Sequence, residues 1–261
     1  MMNWTKPGSQ KNQIVVTVPT QAALLADLRA RIEAGQGISV ATLNLDHVVK
    51  LARDPAFRQA YAAQTHITAD GNPVVWLSRL AGQGDVELVT GSDLVGPVTA
   101  VAAETGTPVA LFGATEEALQ VAAEAMAIRY PGLDIALTLA PPMGFDPDGE
   151  AAGEAIEALR RSGARLVFLA LGAPKQERFA ARAQAALPQT GFLSIGASLD
   201  FIAGTQTRAP LWVRRFALEW LWRLVNNPRR LIGRYAACLV ILPGLLFRAL
   251  YTRRQQKVST P

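Results

Sequence analysis

The chain alternates short, almost continuously apolar runs with longer stretches of helical periodicity, and that alternation limits the folds open to it. Apolar runs at residues 38–43, 65–69, 108–112, 133–139, 165–171 and 191–195 are too short for helices and too apolar for strands with one wet face. Between them lie amphipathic stretches at 20–34, 45–62, 115–129, 150–162 and 175–186. Strands that are buried on both faces and separated by helices belong to parallel sheets with crossover connections. The predicted fold is therefore α/β: a Rossmann-like parallel sheet with helices on both faces. The run at 14–18 reads as one more strand, and Asp54-Pro55 as a break within the second helical stretch.

The pattern ends near residue 200. Segments 212–225 and 229–242 look helical, punctuated by Pro210 and Pro228, and a boundary is placed between residues 207 and 208. Charge marks the same boundary. Residues 208–261 hold eleven basic side chains and one acid, Glu219, for a net +10, whereas the first 207 residues carry −5; together they give the chain's +5. An acidic body with a basic tail implies an anionic partner for the tail. Trp212, Phe216, Trp220, Leu221, Trp222 and Leu224 are interleaved with those cations, which favours a membrane surface over nucleic acid. The apolar run at 236–247 is broken by Pro243-Gly244 and is shorter than the roughly 20 residues of a spanning helix. It reads as an interfacial or re-entrant anchor.

Composition excludes other classes. One cysteine, Cys238, rules out a disulfide framework, and two histidines, His47 and His66, are too few for a histidine-rich metal centre and read as ordinary surface or packing residues. Aromatic residues make up 7%, too few and too scattered for a base-stacking platform. Residues 1–11 lack the apolar segment of a secretory signal, so the body is expected in the cytoplasm.

Ligands of open parallel sheets bind beyond the carboxyl ends of the strands. The residues expected there are Thr42 and Asn44, Asp70 to Asn72, Gly113 to Thr115, Gly172 to Glu177, and Gly196 to Ser198 with Asp200. Small residues beside polar ones, at helix starts, suit a nucleotide phosphate. The absence of a GxGxxG run argues against a nicotinamide dinucleotide. Asp146-Pro147-Asp148 imitates a metal-binding acid pair, but turn chemistry in a Pro/Gly loop explains both aspartates. Asp70-Gly71-Asn72 reads equally as a turn and as a catalytic carboxylate; its place at a strand end, before a proline-started helix, favours the second.

Several blocks together resemble the bacterial WecG/TagA/CpsF glycosyltransferases. They are Thr42-Leu43-Asn44; Ala69-Asp70-Gly71 with Pro73; Val89 to Leu94; Tyr130-Pro131; and Leu171 to Glu177. Ile195-Gly196-Ala197 with Asp200, Arg208-Ala209-Pro210, and Leu218 to Leu221 with Arg223 complete the set. The resemblance implies an inverting transfer of a hexose or N-acetylhexosamine from a UDP-sugar to a polyprenyl-diphosphate-linked saccharide, in the building of a surface polysaccharide. Asp70 matches the general base, and Thr42, Asn44 and Gln176 match polar residues lining its pocket. Gly172, Lys175, Gly196 and Ala197 would contact the nucleotide sugar. Arg223, Arg230 and Arg234 would offset diphosphate charge, although a basic run is ordinarily a solvated face. No resident metal or other cofactor is implied. The first 207 residues would then be the catalytic domain, and 208–261 a membrane-association appendage on the cytoplasmic leaflet. The sequence leaves a homo-oligomer open. Two rival readings are a non-catalytic enhancer of a partner transferase and a nicotinamide-dependent enzyme. Leu88 departs from the arginine that relatives often carry before the Val-Thr-Gly block.

Overall fold

A computed structural model describes residues 1–5, 13–210, 212–213 and 216–259. Six strands form one sheet: β1 (Ser39–Leu43), β2 (His66–Ala69), β3 (Val109–Gly113), β4 (Ile135–Leu139), β5 (Leu166–Ala170) and β6 (Gly191–Ser194). Their order is β2-β1-β6-β5-β3-β4, and every pairing is parallel. The helices are α1 (Gln21–Glu33), α2 (Leu45–Arg53), α3 (Pro55–Ala62), α4 (Asn72–Leu80), α5 (Gly91–Thr105), α6 (Glu116–Arg129), α7 (Glu150–Ser162), α8 (Lys175–Ala186) and α9 (Ser198–Ile202). Beyond them come α10 (Glu219–Asn226) and α11 (Pro228–Ser259).

Local chemistry sets the helix starts. The side chains of Thr20, Asn44, Asp54, Thr90 and Thr115 each accept a hydrogen bond from the backbone N–H three residues on, which satisfies a donor that a helix N-terminus otherwise leaves free. Asp54 does this at the predicted break, with Pro55 in the first turn of α3.

Alternation along the strands divides the interior into faces. Leu166 and Phe168 point into a core with α1, α5, α6 and α9, whereas Val167 and Leu169 pack with α7 and α8 around Phe112, Phe145, Phe179 and Phe192. A third cluster gathers Ala41 and Leu43 of β1, Ile67 and Ala69 of β2, and helices α2 to α4. The sheet is covered on both faces, as the apolar runs predicted.

Three predicted elements are corrected. Ile14, Val16 and Val18 are buried beside β2, but residues 14–18 form no strand: Thr17 and Val18 N–H both donate to Ile67 O, and the Thr17 hydroxyl accepts from Ile67 N–H where a ladder would need a carbonyl. The helical reading of 212–225 holds at residues 212–213 and again from Glu219. Residues 216–218 form a turn with Ala217 at φ +60°, and 211, 214 and 215 lie outside the described residues. Pro243-Gly244 does not end the last helix, which runs on to Ser259. Cys238 before the proline, and Leu245 and Ala249 after it, are buried against the body, so docking on both sides carries the helix through.

Helix α11 packs along α2 and α4, and the N-terminal segment helps hold it: Arg248 donates to the backbone oxygens of Asn3 (3.2 Å) and Thr5 (2.5 Å). At the other end Arg234 grips Asp46 with both Nε (3.1 Å) and Nη2 (2.6 Å), and Lys50 Nζ lies 2.8 Å from the same carboxylate. Burial alone would raise the Asp46 pKa, but Arg234 and Lys50 prevail and hold it at about 2. A depressed carboxylate contributes stability above its unfolded pKa and loses it on acidification. We expect Asp46→Asn to cost ~1 kcal/mol near neutral pH, because the partner cations are partly solvated. The difference from the parent should vanish between about pH 4 and 2, followed by thermal melts across that range.

Candidate active site

The ends of β1 and β6 lie side by side and their chains then part. The chain leaving β1 enters α2 on one side of the sheet; the chain leaving β6 enters α9 on the other. This divergence is where open α/β sheets bind ligands, and the predicted residues collect around it.

Asp70 follows β2 directly. Its N–H donates to Leu43 O at 2.7 Å, which pins it beside the end of β1. The Thr42 hydroxyl donates to its Oδ2 at 3.3 Å, and the Asn44 side chain supplies a second hydrogen bond while its own Oδ1 caps α2. Gly71 (φ +96°) then turns the chain into α4. Asp70 reaches solvent only in part, and burial raises its pKa to about 6. Arg223, Asn44 and Thr42 hold it down, and Glu219 pushes it up. The two charges come from α10, where Arg223 Nη2 donates to Glu219 Oε1 at 2.5 Å. The tail thus puts an ion pair within electrostatic reach of Asp70.

The second wall comes from β5 and β6. Gly172 (φ +70°) and Gly196 (φ +59°) stand in the left-handed region, and among the described residues an added Cβ at either would meet nothing within 4 Å beyond its own chain neighbours. Backbone is thereby left open to a ligand at both turns. Gln176 is buried and spans them: its Oε1 accepts from Gly196 N–H at 3.1 Å and its Nε2 donates to Glu177 Oε1 at 2.9 Å. Lys175 opens α8, partly exposed and with no ion-pair partner among the described residues. Ala197 adjoins Gly196, also partly exposed. Lys50 Nζ donates to Ala173 O at 3.1 Å, tying α2 to this wall.

The predicted arginines divide. Arg223 is at the site. Arg234 is engaged by Asp46 and acts as a latch for α11, and Arg230 lies on α11 with its side chain outside the described residues. Asp148 N–H donates to Asp146 Oδ1, a turn bond, and Asp148 pairs with Arg178. His47 packs edge-on to Phe57 and Tyr61, and His66 lies 2.7 Å from Asp27. Burial, with Lys50 nearby, depresses His47 to about 3, so it carries no charge at neutral pH.

The sequence reading did not single out Asp46, Lys50, Tyr61, Glu177 or Glu219 for a role. Tyr61 is buried within electrostatic reach of both Glu177 and Asp70. Glu177 and Glu219 were visible inside the blocks, but only as neighbours of Gln176 and Arg223.

Residues 12–259 match the Glycosyl transferase WecG/TagA/CpsF family. Among curated proteins, the chain is 28% identical over 196 residues to an N-acetylglucosaminyldiphosphoundecaprenol N-acetyl-beta-D-mannosaminyltransferase of Bacillus subtilis strain 168, covering 74% of this chain and 73% of that one. It is 29% identical over 199 residues to the protein of the same name from Bacillus spizizenii, covering 76% and 75%.

The site geometry makes one prediction independent of any substrate. The Asp70 carboxyl should titrate near pH 6, and Arg223→Ala should move it higher by removing the nearby cation. Carbonyl-region infrared difference spectra against Asp70→Asn measure both; an ordinary aspartate value near 4 would contradict the burial argument.

Proposed function

Since the chain belongs to the WecG/TagA/CpsF family of glycosyl transferases, we propose that it moves a hexose or N-acetylhexosamine, of N-acetylmannosamine or glucose type, from a UDP-sugar to a polyprenyl-diphosphate-linked saccharide. The observation that carries this reading is Asp70: a carboxylate held by Thr42 and Asn44, raised towards neutrality, and faced by an arginine from the tail.

An inverting transfer needs one displacement. The acceptor hydroxyl oxygen bonds to the anomeric carbon while its proton passes to Asp70. The bond from that carbon to the diphosphate oxygen breaks, and its electron pair leaves with UDP. A carboxylate titrating near 6 is ionised at neutral pH, yet basic enough to take a proton in the transition state. Negative charge grows on the leaving diphosphate, where Arg223 and Lys175 are the cations at hand and the N-terminus of α8 adds its dipole. In this reading those side chains meet the charge without a resident metal, and turnover persists in chelator.

The acceptor's lipid keeps it in a membrane, and α11 supports an interfacial placement. Residues Leu231–Gln256 are long and apolar enough to cross a bilayer by length and composition. Yet Leu231, Cys238, Leu245 and Ala249 are all buried against the body. They cover about 27 Å of helix at 1.5 Å per residue, so crossing would drag α2 and α4 into the hydrocarbon. Ile232, Leu239, Val240 and Phe247 face away from the body and are exposed. We read α11 as lying in the cytoplasmic interface, apolar face down, with the basic residues on anionic headgroups.

Purified protein given a short-chain polyprenyl-diphosphate N-acetylglucosamine should release UDP from one of UDP-N-acetylmannosamine, UDP-glucose or UDP-N-acetylglucosamine. Asp70→Asn should lower kcat by 10²- to 10⁴-fold, the usual worth of a general base. In the parent, kcat/KM should rise with pH through about 6 as Asp70 ionises, and then level. No turnover with any donor, while a family member run alongside is active, would favour the enhancer role. Separately, Val240→Glu with Phe247→Glu should release the protein from anionic vesicles in flotation. Retention after alkaline carbonate washing would instead indicate a spanning helix.

A further inference from the structure

Glu177 is a fully buried carboxyl that the displacement above does not use. It is the third residue of α8, and its surroundings are unusual for an acid. Oε1 accepts one hydrogen bond, from Gln176 Nε2, and Oε2 is buried with no hydrogen-bond partner among the described residues. Its backbone oxygen accepts from Gln64 Nε2 at 3.1 Å, which fastens this turn of α8 to the end of α3. The charged and titratable groups that face it are Tyr61 of α3 and Lys50 of α2, with Asp70 beyond Tyr61. A buried carboxylate with one neutral partner is poorly stabilised, so the neutral acid is the form that suits the place. Burial raises its pKa to about 7 against the opposing pull of Gln176, its own N–H and Lys50.

The consequence falls on Gln176. A side-chain amide presents oxygen at one end and NH2 at the other, and a half-turn exchanges them. Gly196 N–H needs the oxygen, and only an acceptor at the far end keeps the amide that way round; Glu177 Oε1 is that acceptor. We propose that Glu177 is a positioning residue of the donor pocket: its carboxyl fixes the Gln176 amide and, through it, the Gly196 turn against which the nucleotide sugar lies. The part concerning donor binding rests on the functional reading above. The hydrogen-bonded strut from Glu177 to Gly196 stands apart from that reading and is tested apart from it.

Three variants suffice: Glu177→Met, which fills the space without an acceptor; Glu177→Gln, which keeps a neutral acceptor; and Gln176→Met. Donor KM and kcat are measured for each and for the Glu177→Met, Gln176→Met double variant, with hydrogen exchange of residues 194–198 in the absence of substrate. We expect Glu177→Met to raise donor KM roughly tenfold with a smaller change in kcat, and to add nothing in the Gln176→Met background, because coupled residues are non-additive. Glu177→Gln should restore KM to within about threefold of the parent. Exchange at 194–198 should quicken in Glu177→Met and Gln176→Met, and stay at the parental rate in Glu177→Gln. Parental KM in Glu177→Met, or losses that multiply in the double variant, would overturn the proposal. If no donor turns over, exchange decides the strut alone: unchanged rates sink it, whatever the substrate. If Glu177→Met does not fold, Gln176→Met carries the test, and parental exchange at Gly196 in that variant defeats it.

Discussion

All six strands run the same way, and this forces the carboxyl ends of all of them onto one edge of the sheet. Both faces are sealed by helices, so that edge is the place where backbone and polar side chains from distant parts of the chain meet. Thr42, Asp70, Gly172 and Gly196 lie up to 154 positions apart in sequence (42 to 196), yet each lies within two residues of the carboxyl end of a strand. The β2-β1-β6-β5 order sets those four ends side by side.

Two carboxyls at that edge, Asp70 partly exposed and Glu177 sealed inside, show how surroundings separate chemically similar groups. Asp70 and Glu177 are both raised by burial, but their partners differ. Asp70 receives hydrogen bonds from Thr42 and Asn44 and feels Arg223, so its charged form is supported and it titrates near 6. Glu177 has the Gln176 amide and a more distant Lys50, and titrates near 7. Near neutrality the first is poised to accept a proton, and the second to keep one. Pairs of acids whose environments separate their pKa values mark acid–base division of labour in enzymes generally. In the proposed function the division is between a base and a support.

What the sequence made legible follows from how local each signal is. Helix starts capped by Thr20, Asn44, Asp54 and Thr115 are set by a few adjacent residues and were readable within a position or so. Helix α5 passed unread because Gly91, Gly96 and Pro97 lie within it. It is stabilised by tertiary packing that no local propensity reports: Gly91 lies so close to the Ile195 backbone that a Cβ would sit 2.9 Å from Ile195 Cα. The strand-end residues of the site were readable by type and place, but their bonding was not. That Gln176 holds the Gly196 turn, that Arg234 is held by Asp46, and that Glu177 is sealed inside all depend on contacts across tens to nearly two hundred positions.

The tail carries the same lesson into energetics. Read alone, 236–247 is an apolar run cut by a proline; in the fold it belongs to a helix with two different apolar faces. One, through Leu245 and Ala249, completes the cluster that also buries Met2, Trp4 and Val74, so the tail shares a core with the body. The other is exposed among the described residues, at Ile232, Leu239, Val240 and Phe247, and a contiguous exposed apolar surface marks an interaction site. Because α10 precedes α11 directly, docking the first face fixes where Arg223 and Glu219 stand relative to Asp70. Undocking would withdraw the cation that favours Asp70 ionisation along with the carboxylate that opposes it, and would expose the cleft to water. The latch at Asp46, the anchor at Arg248 and the charge state of Asp70 are thus coupled through the docking of α11. In the proposed function, a membrane that receives the outer face would keep α11 docked and Arg223 beside Asp70, with the acceptor anchored in the same plane.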